Sequence, residues 1–468
     1  MKLIRSNTLL KMMRLESVIP MLAMPLIFFY REEIVYLQSF LISSLSAFLF
    51  TFALSLLPLR ERNGSQTVVI SWIFGIIICA LPFVFSGEAS ILPAIFESVS
   101  GLTTTGLSTL NVEKLPKTFL FYRALLQYIG GLGFVMTMLL FQKPREGAVL
   151  YSEEGHSFRL MPNIAKSTRV IALIYLLFLY IGTVLYMIFG MNALDAVVHA
   201  MCALSTGGFS NRMDSIGAYW SLPIEIVTIL LMTIGTTNFA LLLLLLKGKI
   251  RAFIHSTEFR TFIFLVVIGV TLFIFSTVHS GWSFLSSLRH GLFNVVSALS
   301  TSGFSTVPIN SLPESSIFIL IIMMLIGGGM GSTAGGIKLE RIYLIAKATV
   351  REIILRIKGE RNIYTIKIDD ENGVVHAEES DIKEAFFYGQ CFIILFLLGS
   401  YLLSLTENVP LLSASFEFAS ALATTGLSAS VIGPNTSSWG LIITALGMFI
   451  GRLEIFVIVK AIMGRKEI

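Results

Sequence analysis

Four short stretches of this 468-residue chain set threonine, serine and glycine inside otherwise apolar sequence: GLTTTGLS (101–108), ALSTGGFS (203–210), ALSTSGFS (298–305) and ALATTGLS (421–428). None of them holds a Lys or Arg, and none has the Gly-Lys-Ser/Thr order of a phosphate-cradling loop. What an extended run of small residues does offer is backbone oxygen. Carbonyls turned toward one point replace the water around a bare cation, and glycine reaches backbone angles that such a turn requires.

The four stretches keep register with one another. Their last glycines, Gly106, Gly208, Gly303 and Gly426, are 102, 95 and 123 residues apart. Two residues before each stands Thr104, Thr206, Thr301 or Thr424, and two after stands Ser108, Ser210, Ser305 or Ser428. Six before comes a small residue, Ser100, Cys202, Ser297 or Ser420, and nine before a polar one, Glu97, His199, Asn294 or Glu417. Agreement at these positions marks four copies of one unit. A single such motif would read as a turn or as small-residue helix packing. The polar residues at the ninth position differ too much in type to form a common ion-binding ring, so they are expected to brace their segment by hydrogen bonds.

The elements that must hold these stretches follow from composition. The chain is 55% hydrophobic and 13% charged, and its mean hydropathy of +0.81 places it in a membrane. About 20 apolar residues make a spanning helix, and ten such segments are expected near 15–30, 34–58, 67–87, 118–141, 168–190, 222–246, 259–280, 315–337, 383–405 and 437–462. The first, with Pro20 and Pro25, could pass for a signal peptide but lacks a small-residue cleavage site and is expected to stay. Each unit reads as a spanning helix, an apolar stretch of about a dozen residues, the octapeptide, and a second span carrying Gly130, Gly235, Gly327 or Gly447. A dozen residues rising about 1.5 Å each cannot cross roughly 30 Å of hydrocarbon, so the short stretch enters and returns. Irregular backbone at that depth must line a cavity or be buried in protein. Four such loops about a pseudo-fourfold axis satisfy the demand together, with the carboxyl ends of four half-helices adding negative potential. The octapeptide then reads as a quarter of a cation selectivity filter.

The expected fold is an all-α polytopic membrane protein of four tandem helix, re-entrant loop, helix repeats, preceded by two extra transmembrane helices. The expected division is 1–64 for the two-helix extension, 65–145, 146–250 and 251–360 for the first three repeats, 361–382 for a hairpin-like connection and 383–468 for the fourth repeat. Of the 34 Lys and Arg, 27 lie in the first residues, in alternate connections and in the tail. By the positive-inside rule, those connections and both termini are cytoplasmic. The net charge of +5 belongs to topology, and nucleic acid is not an expected partner. Cys79, Cys202 and Cys391 share no spacing pattern, which leaves neither a disulfide framework nor a metal site.

Two further features concern passage of an ion. GGGMGSTAGGIK (327–338) interrupts the eighth apolar segment with Gly327, Gly328, Gly329, Gly331, Gly335 and Gly336. Each costs a helix roughly 1 kcal/mol relative to alanine, so a hinge or intramembrane loop is expected, with close helix packing as the alternative. Arg452 reads as the one arginine deep in a span and must face protein or water. Glu454, two residues on, points to another side of the helix. In the connection 338–383, a basic helical stretch precedes an alternating hairpin about Glu371, Asn372 and Gly373. The basic helix either lies on anionic lipid or docks a partner.

With the four loops, YIGGLGF (128–134), GGGMGSTAGGIK and GRLEIF (451–456) carry a resemblance over nearly the whole chain. The sequence resembles the Trk/Ktr/HKT superfamily of potassium transporters, on the side of the TrkH/TrkG-type pore-forming subunits, which have the extra N-terminal pair. The resemblance implies a pseudo-tetrameric pore in a homodimer, in the bacterial inner membrane, controlled by a cytoplasmic TrkA-type ring that alone carries nucleotide. It implies potassium at Thr104, Thr105, Gly106, Thr206, Gly207, Gly208, Thr301, Ser302, Gly303, Thr424, Thr425 and Gly426, and a gate formed by the six loop glycines with Ser332, Thr333, Lys338 and Arg452. Related transporters with serine at the first marker tend to pass sodium, and here that residue is Gly106. A sodium-permeable or sodium-coupled transporter of the same fold is the second reading. An enzyme or anion permease would need convergent bases, metals or cations at mid-membrane, for which Arg452 alone is too little. A scaffolding subunit with a permanently shut pore fits poorly with four intact loops.

Overall fold

A computed structural model describes residues 6–57, 63–133, 164–358, 365–370 and 373–463. The arginines of the connection 59–67, nearly all of the connection 142–169, Phe134 of YIGGLGF, the Glu371-Asn372 turn and the end of the basic tail lie outside the described residues.

The N-terminal segment comprises α1 (Ser6–Glu16), a 3-10 turn (Ile19–Ala23), α2 (Met24–Phe29), a second 3-10 turn (Arg31–Tyr36) and α3 (Leu37–Ser55). Pro20 and Pro25 stand in the first turns of the pieces they begin, where a missing N–H costs nothing. Thr8–Phe29 is therefore a broken run, still long and apolar enough to cross a membrane.

Four units follow. The first is α4 (Gly64–Ser86), α5 (Ile91–Leu102) and α6 (Lys117–Leu132). The second is α7 (Ile164–Ile188), α8 (Ala193–Leu204) and α9 (Leu222–Thr236), continued by α10 (Phe239–Leu246) and α11 (Ile250–His255). The third is α12 (Thr257–His279), α13 (Phe284–Leu299) and α14 (Glu314–Ile326). An insertion of α15 (Leu339–Lys358), β1 (Lys367–Asp370) and β2 (Gly373–His376) leads to the fourth: α16 (Glu379–Glu407), α17 (Leu411–Leu422), α18 (Ser438–Leu453) and α19 (Ile455–Met463). The strands pair antiparallel with Lys367 opposite His376, as the alternation predicts.

The short helices are 12 residues long in α5, α8 and α17 and 16 in α13. At roughly 1.5 Å per residue none spans the hydrocarbon. One packed core runs through all four units, and a separate small cluster of Leu344, Ala348, Ile366, Ile368, Ile382 and Ala385 joins α15, the hairpin and the start of α16. Glu33 from the N-terminal segment accepts the backbone N–H groups of Lys117 and Thr118, both at 2.8 Å, setting a carboxylate on the positive end of α6.

The second span near 315–337 breaks at its glycines as expected; those near 222–246 and 437–462 break as well, and so does the part of 118–141 that lies within the described residues. Helix α6 stops at Gly133 and α14 at Gly327, with φ of 77° and 75°. Between α9 and α10 the chain bends by 114°, and between α18 and α19 by 96°. At the first bend Asn238 accepts the N–H of Ala240 at 2.8 Å and starts a new helix; at the second Glu454 takes φ of 60°. A hydropathy window counts apolar residues and does not register such caps and left-handed residues.

Candidate functional site

All four half-helices end in the same way. The N–H of Thr104, Thr206, Thr301 and Thr424 reaches the carbonyl of Gly101, Ala203, Ala298 and Ala421 at 3.0–3.3 Å. The next N–H, of Thr105, Gly207, Ser302 and Thr425, reaches five residues back at 2.7–2.9 Å. That pair of bonds is a Schellman termination, in which glycine normally holds the left-handed position. Here threonine holds it, with φ of 56°, 51°, 52° and 51°. A β-branched residue there is an outlier costing about 1–3 kcal/mol, and its recurrence in all four units makes it a property of the architecture.

The next residues close a ring. A Cβ built on Gly106 would stand 2.2 Å from the Gly207 carbonyl oxygen, one on Gly208 2.6 Å from that of Ser302, one on Gly303 2.2 Å from that of Thr425, and one on Gly426 2.0 Å from that of Thr105. Each marker glycine thus abuts the carbonyl preceding the marker of the following unit, and the fourth unit returns to the first. All four also have positive φ, from 75° to 98°, so both space and backbone angle call for glycine.

Behind the ring, the polar residues nine before each marker act as braces. Glu97 accepts from Ser108 Oγ at 2.6 Å and Thr109 N at 2.8 Å. His199 Nε2 pairs with Ser210 Oγ at 2.9 Å. Glu417 accepts from Ser428 Oγ and Ala429 N, both at 2.8 Å. In the third unit Asn294 Nδ2 donates to Thr306 Oγ1 at 3.1 Å rather than to Ser305. The serine hydroxyls of Ser100 and Ser420 accept the N–H of Gly106 and Gly426 at 3.0 and 2.8 Å.

The glycine-rich loop lies against the half-helix ends. Gly335 donates its N–H to Thr301 Oγ1 at 2.9 Å, and Thr333 Oγ1 pairs with Thr206 Oγ1 at 3.0 Å. Thr333 Oγ1 also reaches the Gly235 carbonyl at 2.9 Å, and Gly329 N reaches that of Thr236 at 3.1 Å. Glu258 accepts the Met330 N–H at 2.6 Å, and Ser332 Oγ donates to the Gly329 carbonyl at 2.7 Å. The loop returns on α14, with Lys338 N on the Ile326 carbonyl at 2.8 Å and Leu339 N on that of Gly328 at 2.8 Å. Lys338 itself is left-handed, with φ of 83°. Arg452 donates to the carbonyls of Thr333, at 2.9 Å, and of Gly130 and Gly131. Ser332, Gly335, Lys338, Arg452 and Glu454 line a small cavity beside the loop.

The structure therefore brings the residues expected at the ring together, and those expected at the gate beside them. It also corrects two points. Arg452 is not the only arginine deep in a span: Arg123 on α6 is 2% exposed, binds Glu97 at 3.0 Å and lies 3.9 Å over the Phe209 ring. The signal was a lone arginine inside the span at 118–141. In the fourth unit the glycine equivalent to Gly130 and Gly235 is Gly451, not Gly447. Cβ atoms on Gly130, Gly235 and Gly451 would meet the carbonyls of Leu102, Leu204 and Leu422 at 2.0, 2.4 and 1.9 Å, whereas Gly447 faces the Phe418 ring. Glu258 also escaped the sequence reading, because its partner is a backbone amide 72 residues away. Glu454 pairs with Arg341 on α15, at 3.0 and 3.2 Å, and not with Arg452.

A family profile described as "TrkH: Cation transport protein" matches residues 32–465. The Trk system potassium uptake protein TrkH of Escherichia coli K12 is 32% identical over 415 residues, covering 85% of this chain and 84% of that protein. TrkG of the same organism is 29% identical over 431 residues, covering 87% and 86%. The crystal structure of the potassium transporter TrkH from Vibrio parahaemolyticus superposes with a TM-score of 0.78 at 25% identity, over 95% of this chain and 98% of that one. This is a multi-pass membrane protein of a transport family and not an enzyme: the chain belongs to the TrkH family of cation transport proteins.

Proposed function

We propose that this protein takes up potassium across a bacterial cytoplasmic membrane, through the ring formed by Thr104, Thr105, Gly106, Thr206, Gly207, Gly208, Thr301, Ser302, Gly303, Thr424, Thr425 and Gly426. The observation that carries the reading is the closed sequence of contacts in which each marker glycine abuts a carbonyl of the next unit. Carbonyl oxygens so arranged substitute for water around a dehydrated monovalent cation, and four half-helix carboxyl ends favour positive charge at the same place. The relatives named as potassium uptake proteins support potassium as that cation.

In this reading the loop from Gly327 to Lys338 closes the path on the cytoplasmic side, with Arg452 as its latch. Both termini face the cytoplasm. The chain divides at 64, 145, 250, 360 and 382 into the N-terminal extension, four pore repeats and a hairpin-like connection. Two copies assemble as a homodimer in the inner membrane, and a cytoplasmic nucleotide-binding subunit of the TrkA type acts on α15 and the hairpin, so that nucleotide binds the partner and not this chain. Expression in a bacterial strain lacking its own potassium uptake tests the function. Growth at low external potassium is the expected result, and failure to grow despite membrane insertion and the presence of the partner would contradict it.

A further inference from the structure

The ring is regular in backbone but not in what stands behind it. The residue before each marker is Thr105, Ser302 or Thr425 in three units and Gly207 in the second. In the first and third units its hydroxyl bonds that of the residue two before it: Thr105 with Thr103 at 2.8 Å and Ser302 with Ser300 at 2.9 Å. Gly207 has no side chain to do this. Its place is taken from the neighbouring unit by Gln127 of α6, whose Nε2 donates to the Gly207 carbonyl and whose Oε1 accepts the Phe209 N–H at 3.1 Å. The two partners, one acceptor and one donor, fix the orientation of the amide. A Cβ on Gly207 would lie 2.4 Å from Gln127 Cδ and Oε1, so the amide occupies the space a side chain would need.

The second helices show the complementary difference. Three residues before Gly130, Gly235, Gly327 and Gly451 stand Gln127, Met232, Met324 and Met448, all fully buried. Where the first unit meets the second, a polar amide thus faces a bare glycine; at the other three junctions the corresponding residues are a methionine and a threonine or serine. The Gly207 carbonyl that Gln127 holds is the one that abuts Gly106 in the ring. Arg123, one helical turn away on α6, covers Phe209 and so holds the other side of the same strand.

We infer that Gln127 is a positioning residue for ion selection: it holds the second unit's strand from outside, as the strands of the first and third units are held by their own side chains, and so sets the position of the Gly207 oxygen. The inference rests on the potassium reading above. Gln127→Met gives the first unit the side chain its three counterparts carry and removes both bonds. Gln127→Met/Gly207→Ser completes the arrangement of the third unit.

The test is the ratio of potassium to sodium flux in liposomes, which does not depend on the amount of active protein. In Gln127→Met the ratio is expected to fall about two- to tenfold, the range one neutral hydrogen bond supports, and in the double variant to return toward wild type. An unchanged ratio in folded Gln127→Met, or a double variant no better than the single one, would overturn the inference. If Gln127→Met is not recovered folded, the double variant decides: a wild-type ratio supports the role, a lost ratio refutes it. Failure of both to fold would also refute it, since Gln127 would then serve folding and not selection. Wild-type protein that passes the two ions equally would instead contradict the potassium reading, before any variant is compared.

Discussion

Arg452 on α18 donates a 2.9 Å hydrogen bond to the carbonyl of Thr333 in the glycine-rich loop, 119 residues earlier in the chain. The same guanidinium reaches the carbonyls of Gly130 and Gly131 at the end of α6. One cation thus ties the loop to two second helices and lies beside the ring. Arg452→Ala removes the tie and the charge together. A net charge-assisted bond contributes about 1.5–3 kcal/mol, so losing one shifts the loop about tenfold or more toward its released state. Basal flux without any partner is expected to rise accordingly, and unchanged flux and regulation would remove Arg452 from the gate.

The ring itself leaves no room at its glycines. In Gly426→Ala the new methyl would stand 2.0 Å from the Thr105 oxygen at a φ of 97°. Potassium flux and the potassium-to-sodium ratio are both expected to drop at least about tenfold, because the carbonyl must move out of line. Gly433, with nothing within 4 Å of its Cβ position, serves as the control, and Gly433→Ala should behave as wild type. Equal effects of the two substitutions would argue against a steric ring.

Glu97 and Arg123 form a pair with exposures of 0% and 2%. Removing one partner of such a pair strands the other charge and costs about 3–5 kcal/mol. Glu97→Gln and Arg123→Met are each expected to lower the thermal midpoint of the detergent-solubilised protein, and the double substitution to recover part of the loss. Additive losses would show that the two side chains act separately.

Glu258 holds the loop from α12 through Met330. Its neighbour Thr257 accepts the Asp369 N–H of the hairpin at 2.8 Å, and Arg260 pairs with Asp369. The hairpin and the loop therefore meet at one helix end. Glu258→Ala should speed amide hydrogen exchange across 328–333 relative to wild type while leaving α12 protected. Exchange that stays slow would mean that the bonds to Thr236 and Gly235 hold the loop alone.

The register of the four octapeptides made most of this legible in sequence. Gly106, Gly208, Gly303 and Gly426 mark the ring because repetition separates a shared backbone task from chance, and the polar residues nine before them are the braces their mixed chemistry implied. The break after α14 is legible in its glycines, whereas those after α6, α9 and α18 are hidden, since one Asn cap or left-handed Glu454 outweighs a long apolar run without altering its hydropathy. Gly447 and Gly451 are indistinguishable in sequence because both sit on the same helix and only contact with the Leu422 carbonyl tells them apart. Gln127 needed the structure to show which strand it holds, although a glutamine among three equivalent methionines was a readable signal.

Side-by-side potassium and sodium flux into liposomes decides whether the ring selects the ion, using the purified wild-type protein, the Arg452→Ala variant to release the loop, and Arg452→Ala/Gly106→Ser. The expected result is potassium-selective flux that rises in Arg452→Ala and loses its selectivity when serine replaces Gly106. Sodium passing as readily as potassium in both Gly106 proteins, or selectivity unaffected by Gly106→Ser, would contradict it.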